Sequence, residues 1–235
     1  MTILLVMAKA PVPGAVKTRL CPPASPRQAA AVAAAALLDT IDAVRATPGV
    51  VPVLACAGRL GDAVRAADLA AALTGWRIVP QRGAGFADRL ANAHADAAMM
   101  APARPVLQIG MDTPQVRPAD LTAAVARLKA ADAVLGPATD GGWWALGLRD
   151  AALADVLRTV PMSTPNTGSL TRAALAGCGS RVVDADTLTD VDTWATAREV
   201  ASMAPGGRFA ATVAGVAATL AVPASGTRLV GEVRR

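Results

Sequence analysis

The sequence is poor in the side chains that serve several common chemistries. It has no tyrosine, two phenylalanines, one histidine and three cysteines among 235 residues. So few aromatics give no stacking platform for single-stranded nucleic acid, and no long basic run accompanies the net charge of +5. A nucleic-acid partner is therefore not expected; a small anionic substrate accounts for clustered cations equally well. The lone His94 falls in mid-helix, in Asn92-Ala-His-Ala-Asp96, and reads as structural or surface. With no Gly-x-Ser-x-Gly elbow either, nothing supports a Ser-His-Asp hydrolase. Cys21, Cys56 and Cys178 form no Cys-x-x-Cys pair and suggest no zinc site. A reduced, cytoplasmic protein is the expectation. The N-terminus has no basic leader region, and Lys9 and two prolines interrupt its apolar run, unlike a signal peptide. The longest late apolar run, Phe209–Val222, falls short of the ~20 residues of a membrane span, so no membrane association is expected.

What the sequence does have is apolar mass, 53% of it, enough for one domain's core. Strand-like runs at Ile3–Met7, Val50–Cys56, Trp76–Val79, Pro105–Ile109, Ala133–Leu135 and Arg181–Val183 alternate with helical stretches. The helical stretches are about Pro26–Arg45, Gly61–Leu73, Phe86–Met100, Ala119–Lys129 and Thr167–Ala176, with a last one from near Asp192. That alternation predicts a parallel sheet covered on both faces. Trp143–Leu148 is too short for a helix and reads as an added antiparallel strand. From about Ala204 the composition shifts to Gly, Ala and Pro, ending in Arg234-Arg235. This divides the chain into a domain, 1–203, and a C-terminal extension, 204–235. The apolar Phe209–Val222 within it has two open readings, packing on the domain or contact in a homodimer.

Ligands of such sheets sit at the carboxyl ends of strands, so the segments that follow strands carry the argument. After the first comes Lys9-Ala-Pro-Val-Pro-Gly-Ala-Val-Lys-Thr-Arg-Leu20. Pro11 and Pro13 stiffen it, Gly14 permits close backbone approach, and Lys17 and Arg19 can bracket a polyphosphate. The alternative is a proline-rich surface turn with solvated cations. It is not a Walker A loop, because Val16 stands where glycine must precede the lysine. After the third strand, Gln81 with Gly83 and Gly85 suits either a base edge or a flexible turn. After the fourth, Asp112 sits at the exit of the most buried strand, as a metal carboxylate or a turn cap. Asp140-Gly-Gly142 is a tight hairpin or an acceptor contact. Ser163 and Thr164 offer hydroxyls, although Thr164 or Asn166 also suits a helix cap. In Asp190-Val-Asp-Thr193, Asp192 is a helix cap unless the fold sets it beside Asp112. Alternation puts Trp143 and Trp144 on opposite faces, so at most one is expected to face a given pocket.

In order, KAPVPGAVKTRL, QRGAGFADRL, IGMDTP, DGGWWALGL, STP and DVDT resemble a family of GT-A-fold nucleotide-dependent transferases once labelled a domain of unknown function. The resemblance spans roughly Thr2 to Ala201. Members are often described as glycosyltransferases, some in arsenosugar or radical-SAM gene contexts. Lys-Thr-Arg-Leu also looks like the loop of 2-phospholactate guanylyltransferase, and DVDT like the late metal-binding segment of molybdenum-cofactor-type and sugar nucleotidyltransferases. Relatives commonly carry Ser-Asp-Cys-Pro where this chain has Met-Asp-Thr-Pro, tyrosine pairs at Trp143-Trp144, and Pro-Glu-Asp after DVDT.

The resemblance implies a three-layer α/β/α, Rossmann-like GT-A fold with a mostly parallel mixed sheet. It implies that Lys9, Pro13, Gly14, Lys17 and Arg19 hold phosphates, and that Gln81, Gly83 and Gly85 lie near the base. Asp112 and Asp192 would bind Mg²⁺ or Mn²⁺, and Asp140, Gly141, Gly142, Ser163 and Thr164 would border the acceptor. Lys17, Arg19 and Asp112 are the expected catalytic residues. The expected reaction is metal-dependent nucleotidyl transfer from a nucleoside triphosphate to a small anionic, phosphate-like acceptor, with release of pyrophosphate. Three loop cations suit a triphosphate and its leaving group. Glycosyl transfer from a sugar nucleotide is the alternative, and a non-catalytic nucleotide-binding protein the second alternative.

Overall fold

The computed structural model describes residues 1–221. Its centre is a seven-stranded sheet in the order β3-β2-β1-β4-β6-β5-β7. The strands are β1 Thr2–Lys9, β2 Val50–Ala57, β3 Arg77–Pro80, β4 Val106–Gly110, β5 Ala133–Pro137, β6 Trp143–Leu148 and β7 Val182–Asp184. Every pairing is parallel except those of β6, which runs antiparallel to both β4 and β5. The expected α/β class and the added antiparallel strand are thus both found.

The helices are α1 Pro26–Arg45, α2 Ala66–Ala72, α3 Phe86–Met100, α4 Pro118–Arg127, α5 Thr167–Gly177, α6 Trp194–Met203 and α7 Arg208–Ala221. They cover both faces of the sheet. Alternation along β1 sends Leu4 and Val6 toward Leu37 and Ile41 of α1 and Leu121 of α4. Ile3 and Leu5 go to the other side, with Leu90 of α3 and Leu175 of α5. Helix α1 begins at a capping box in which Gln28 N donates to Ser25 Oγ (3.3 Å) and Ser25 N to Gln28 Oε1 (2.8 Å), with Pro26 in the first turn. Its alanine-rich sequence is buried on two sides, the second against α6 and α7. A helix apolar nearly all round suits that position.

The described part of the expected extension packs on the domain. Phe209, Val213 and Val216 of α7 join Val32 and Ala36 of α1, and Asp39 accepts from the backbone N–H groups of Arg208 (3.1 Å) and Phe209 (2.8 Å). The same cluster holds Leu20 and Val191, which flank the basic loop and the late acidic segment. Val222 and Arg234-Arg235 lie outside the described residues. The helix expected over Gly61–Leu73 is a correction: a 3-10 turn at Leu60–Asp62 precedes a short α2. Tertiary pairing overrides propensity there, because Val64 N donates to Pro11 O (2.9 Å) and Arg65 turns left-handed at φ 62°. Among the described residues no helix is long and apolar enough to cross a membrane.

Candidate active site

Strand order reverses between β1 and β4, and the crevice at their carboxyl ends is where such sheets bind ligands. The loops leaving these two strands meet there. Lys17 Nζ lies 2.7 Å from Asp112 Oδ1 and also donates to the carbonyl of Val191. Val191 N donates in turn to Asp112 O at 2.8 Å. Segments from three distant parts of the chain are therefore tied at one point, and Asp192 comes beside Asp112. Arg19 Nη1 pairs with Asp192 Oδ2 at 2.6 Å.

The two ion pairs differ in setting. The Lys17 side chain is 9% exposed, and its backbone is left-handed at φ 50° and ψ 39°. That conformation costs a non-glycine residue about 1 kcal/mol, strain that clusters at functional sites. The Arg19 side chain is 72% exposed.

Two cavities adjoin here and share Arg19, Phe86, Asp112 and Asp192. The smaller, about 370 Å³, lies over the ends of β1 and β2 and is bordered by Lys9, Lys17, Arg19, Gln81 and Arg89. The larger, about 570 Å³, lies over β4, β5 and β6. Asp112, Asp140, Asp190 and Asp192 line it, with Ser163, Thr164, Trp143 and the wholly buried Gln108. Burial, and then the neighbouring Asp140 carboxylate, pushes the Asp190 carboxyl above its ordinary range; Lys17 opposes this.

Most sequence-selected side chains converge, but several glycines do not. Pro13 and Gly14 border neither cavity; they form an exposed turn, closed by Ala15 N donating to Val12 O (3.0 Å), that sets the loop's direction. Gly83 and Gly85 also stand outside. A Cβ on Gly83 would meet Asp88 Cβ at 2.5 Å, so that glycine allows close packing on α3, and Gly85 is the N-cap of α3. Gln81 does line the smaller cavity, but its Nε2 is used by the carbonyls of Ala8 and Ala55 (2.9 Å each). Only its Oε1 is left to meet a base. Gly141 and Gly142 build the hairpin instead of the cavity wall. Gly141 has φ 87°, a Cβ there would overlap Pro165 O, and Gly142 N donates to Asp140 Oδ1 (2.8 Å).

The tryptophans need a correction as well. They do point into opposite core layers, Trp144 with α1 and Trp143 with α3. Yet both border the larger cavity, because it caps the end of the strand and pairing slips by one residue at Gly136/Pro137. Trp144 is pinned there by its Nε1 donating to Asp186 O (2.8 Å).

Sequence reading passes over Asp190, Gln108, Thr113 and Arg89. The alternation Asp-x-Asp in DVDT was the available signal for Asp190, whereas Gln108 reads only as part of a buried strand. His94 is buried, with neither nitrogen hydrogen-bonded, and is structural as expected. Burial lowers it to about 3.

The expected anionic acceptor fits this geometry poorly. Of the four carboxylates of the larger cavity, Asp112 is paired with Lys17 and Asp192 with Arg19, and Asp140 and Asp190 have no ion-pair partner among the described residues. A divalent cation fits better. Asp112 and Asp192 are half-exposed and line both cavities. No cluster of three or more His, Cys, Asp or Glu among the described residues is arranged to hold an ion alone. Two carboxylates completed by phosphate oxygens and water are a donor set that suits Mg²⁺ or Mn²⁺.

The fold has known counterparts. A protein of Desulfovibrio desulfuricans G20 described as a nucleotide-diphospho-sugar transferase superposes with a TM-score of 0.81 at 22% identity, covering 94% of this chain and 97% of that one. CMP:2-keto-3-deoxy-manno-octonic acid synthetase, complexed with CTP, gives 0.53 at 14% identity over 87% and 99%. Rv0371c of Mycobacterium tuberculosis H37Rv, in complex with manganese, gives 0.50 at 20% identity over 85% and 98%. At these identities the likeness is one of fold alone, the GT-A-like fold of nucleotide-diphospho-sugar transferases. No curated protein matches the chain. The family model that does match, over residues 40–164, spans more than half of it, so the chain belongs to the family described as uncharacterized protein conserved in bacteria, DUF2064.

Proposed function

We propose that the protein transfers a group from a nucleotide donor to a small organic acceptor, with the donor's phosphates in the smaller cavity and the acceptor in the larger. One observation carries this reading: Arg19, Asp112 and Asp192 line both cavities, Lys17 pairs with Asp112 at their junction, and Lys9, Lys17 and Arg89 border only the smaller. Lys9, Lys17, Arg19 and Arg89 would neutralise a polyphosphate, and Gln81 Oε1 would accept from a base N–H.

A nucleoside triphosphate is the donor that four cations suit best. The acceptor's nucleophile then forms a bond to the α-phosphorus as the bond to pyrophosphate breaks, and its proton passes to water. Lys17 and Arg19 stabilise the charge that accumulates on the leaving group, so catalysis is chiefly positioning and electrostatics. A divalent cation on Asp112 and Asp192 would supply further neutralisation of the phosphate oxygens. Asp112 holds Lys17 in place, and Val191 fixes the segment that carries Asp192. The larger cavity, about 570 Å³, also has room for a donor's sugar beside an acceptor, which favours glycosyl transfer from a sugar nucleotide as the second reading.

The test is a thermal-shift panel with Mn²⁺, setting ATP, GTP, CTP and UTP against UDP- and GDP-sugars. A ligand at about 100 times its Kd adds about 2.7 kcal/mol, a shift of degrees. A metal-dependent shift with one triphosphate supports nucleotidyl transfer and names the base. A shift with sugar nucleotides alone supports glycosyl transfer, and no shift with any of them contradicts both.

A further inference from the structure

The larger cavity has a chemistry that narrows its acceptor, given the nucleotide-transfer reading above. Its carboxylates, Asp112, Asp140, Asp190 and Asp192, face Arg19, which is held by Asp192. A cation on Asp112 and Asp192 would still leave Asp140 without an ion-pair partner among the described residues, while Lys17 acts on Asp190 from a distance. The second observation lies deeper. Gln108 of β4 has no exposed surface, and its Nε2 donates to Leu90 O at 3.3 Å. That bond fixes the amide's orientation, since the flipped amide would set oxygen against oxygen. Gln108 Oε1 is left buried at the cavity without a partner, and so is Thr113 Oγ1. A buried carbonyl oxygen can only accept, and leaving it unpaired costs free energy that a ligand O–H or N–H would recover.

We propose that the acceptor is an uncharged or cationic organic molecule, a polyol or an amine, that donates a hydrogen bond to Gln108 Oε1 and lays its carbon skeleton against Trp143 and Met162. Phosphorylated acceptors are disfavoured by like-charge repulsion from Asp140. The indole face of Trp143 serves either class, through apolar contact with a polyol or cation–π attraction to an ammonium.

The test uses the full chain with Mn²⁺ and follows tryptophan fluorescence during titration with matched pairs. These are glycerol and glycerol phosphate, glucose and glucose phosphate, ethanolamine and phosphoethanolamine. In at least one pair the unphosphorylated member is expected to bind about tenfold or more tightly than its phosphate, and which pair responds separates polyol from amine. Gln108→Leu should weaken that ligand by about tenfold while triphosphate binding in the neighbouring cavity stays unchanged. The unchanged triphosphate titration also reports that the variant is folded. Asp140→Asn should narrow the gap within the pair. Equal or tighter binding of the phosphates overturns the proposal, as does binding of no member, or a Gln108→Leu variant that binds as wild type. If the pairs discriminate but no nucleotide binds, the donor reading fails and the acceptor assignment stands.

Discussion

On the β1–β2 side of the crevice the strand ends lead into Lys9, Lys17, Arg19 and Arg89; on the β4–β6–β5 side they lead into Asp112, Asp140 and, across the loop, Asp190. Parallel strands end at this edge on both sides, with the antiparallel β6 starting there on the second, and the charge is opposite. The sides meet at the Lys17–Asp112 pair. In the proposed reading the difference divides the labour by strand: one half would receive the donor's phosphates, the other an acceptor that is not an anion. At the boundary Arg19 with Asp192 and Lys17 with Asp112 neutralise one another in pairs.

The comparison can be broken most severely at the boundary. Asp112→Asn keeps a hydrogen-bonding group toward Lys17 but removes the charge, and is expected to lower kcat/KM for transfer by about 10²–10³-fold with the melting temperature nearly unchanged. Full activity in that variant, measured by steady-state kinetics, would sink the metal role.

A milder break confined to the acceptor side is Gly141→Ala. The new Cβ overlaps Pro165 O in a backbone at φ 87°, so about 1–3 kcal/mol of stability should be lost in urea unfolding. Acceptor binding should fall while triphosphate binding persists.

The smallest effect on either ligand comes from a residue that touches neither cavity. His94 is lowered from 6.5 to about 3 by burial, so it stays neutral when folded, while the unfolded chain takes up its proton. Its contribution is whole above pH 6.5 and is lost as pH falls toward 3, by about 1.4 kcal/mol per pH unit. His94→Leu should flatten that part of the acid-unfolding curve and leave both ligand titrations unaltered. An unchanged slope in circular dichroism would contradict it.

Much of this was legible in the sequence because strand ends announce themselves. KAPVPGAVKTRL and IGMDTP each follow an apolar run, so Lys17 and Asp112 could be placed at one edge without knowing strand order. Asp192 could not, since its approach to Asp112 depends on the Val191 backbone bond and on α6 and α7 holding Val191 in their core. The glycines misled for a related reason. Gly83, Gly141 and Gly14 look like cradles for a ligand, but the first two are small to admit a neighbouring element of the protein itself and the third only turns the chain. Least legible was the acceptor wall. Gln108 sits within VLQIG, where a polar residue in a buried strand signals nothing until its unpaired oxygen is seen at the cavity.

The most direct test of charge sorting is calorimetric titration of nucleoside triphosphates with Mn²⁺ into wild type, Lys17→Met and Asp140→Asn. The account expects Lys17→Met to lose about 1.5–3 kcal/mol of triphosphate binding, the worth of a hydrogen bond to a charged group, and Asp140→Asn to bind as wild type. The reverse pattern, with Lys17→Met unaffected and Asp140→Asn altered, would place the donor in the acidic cavity and contradict it.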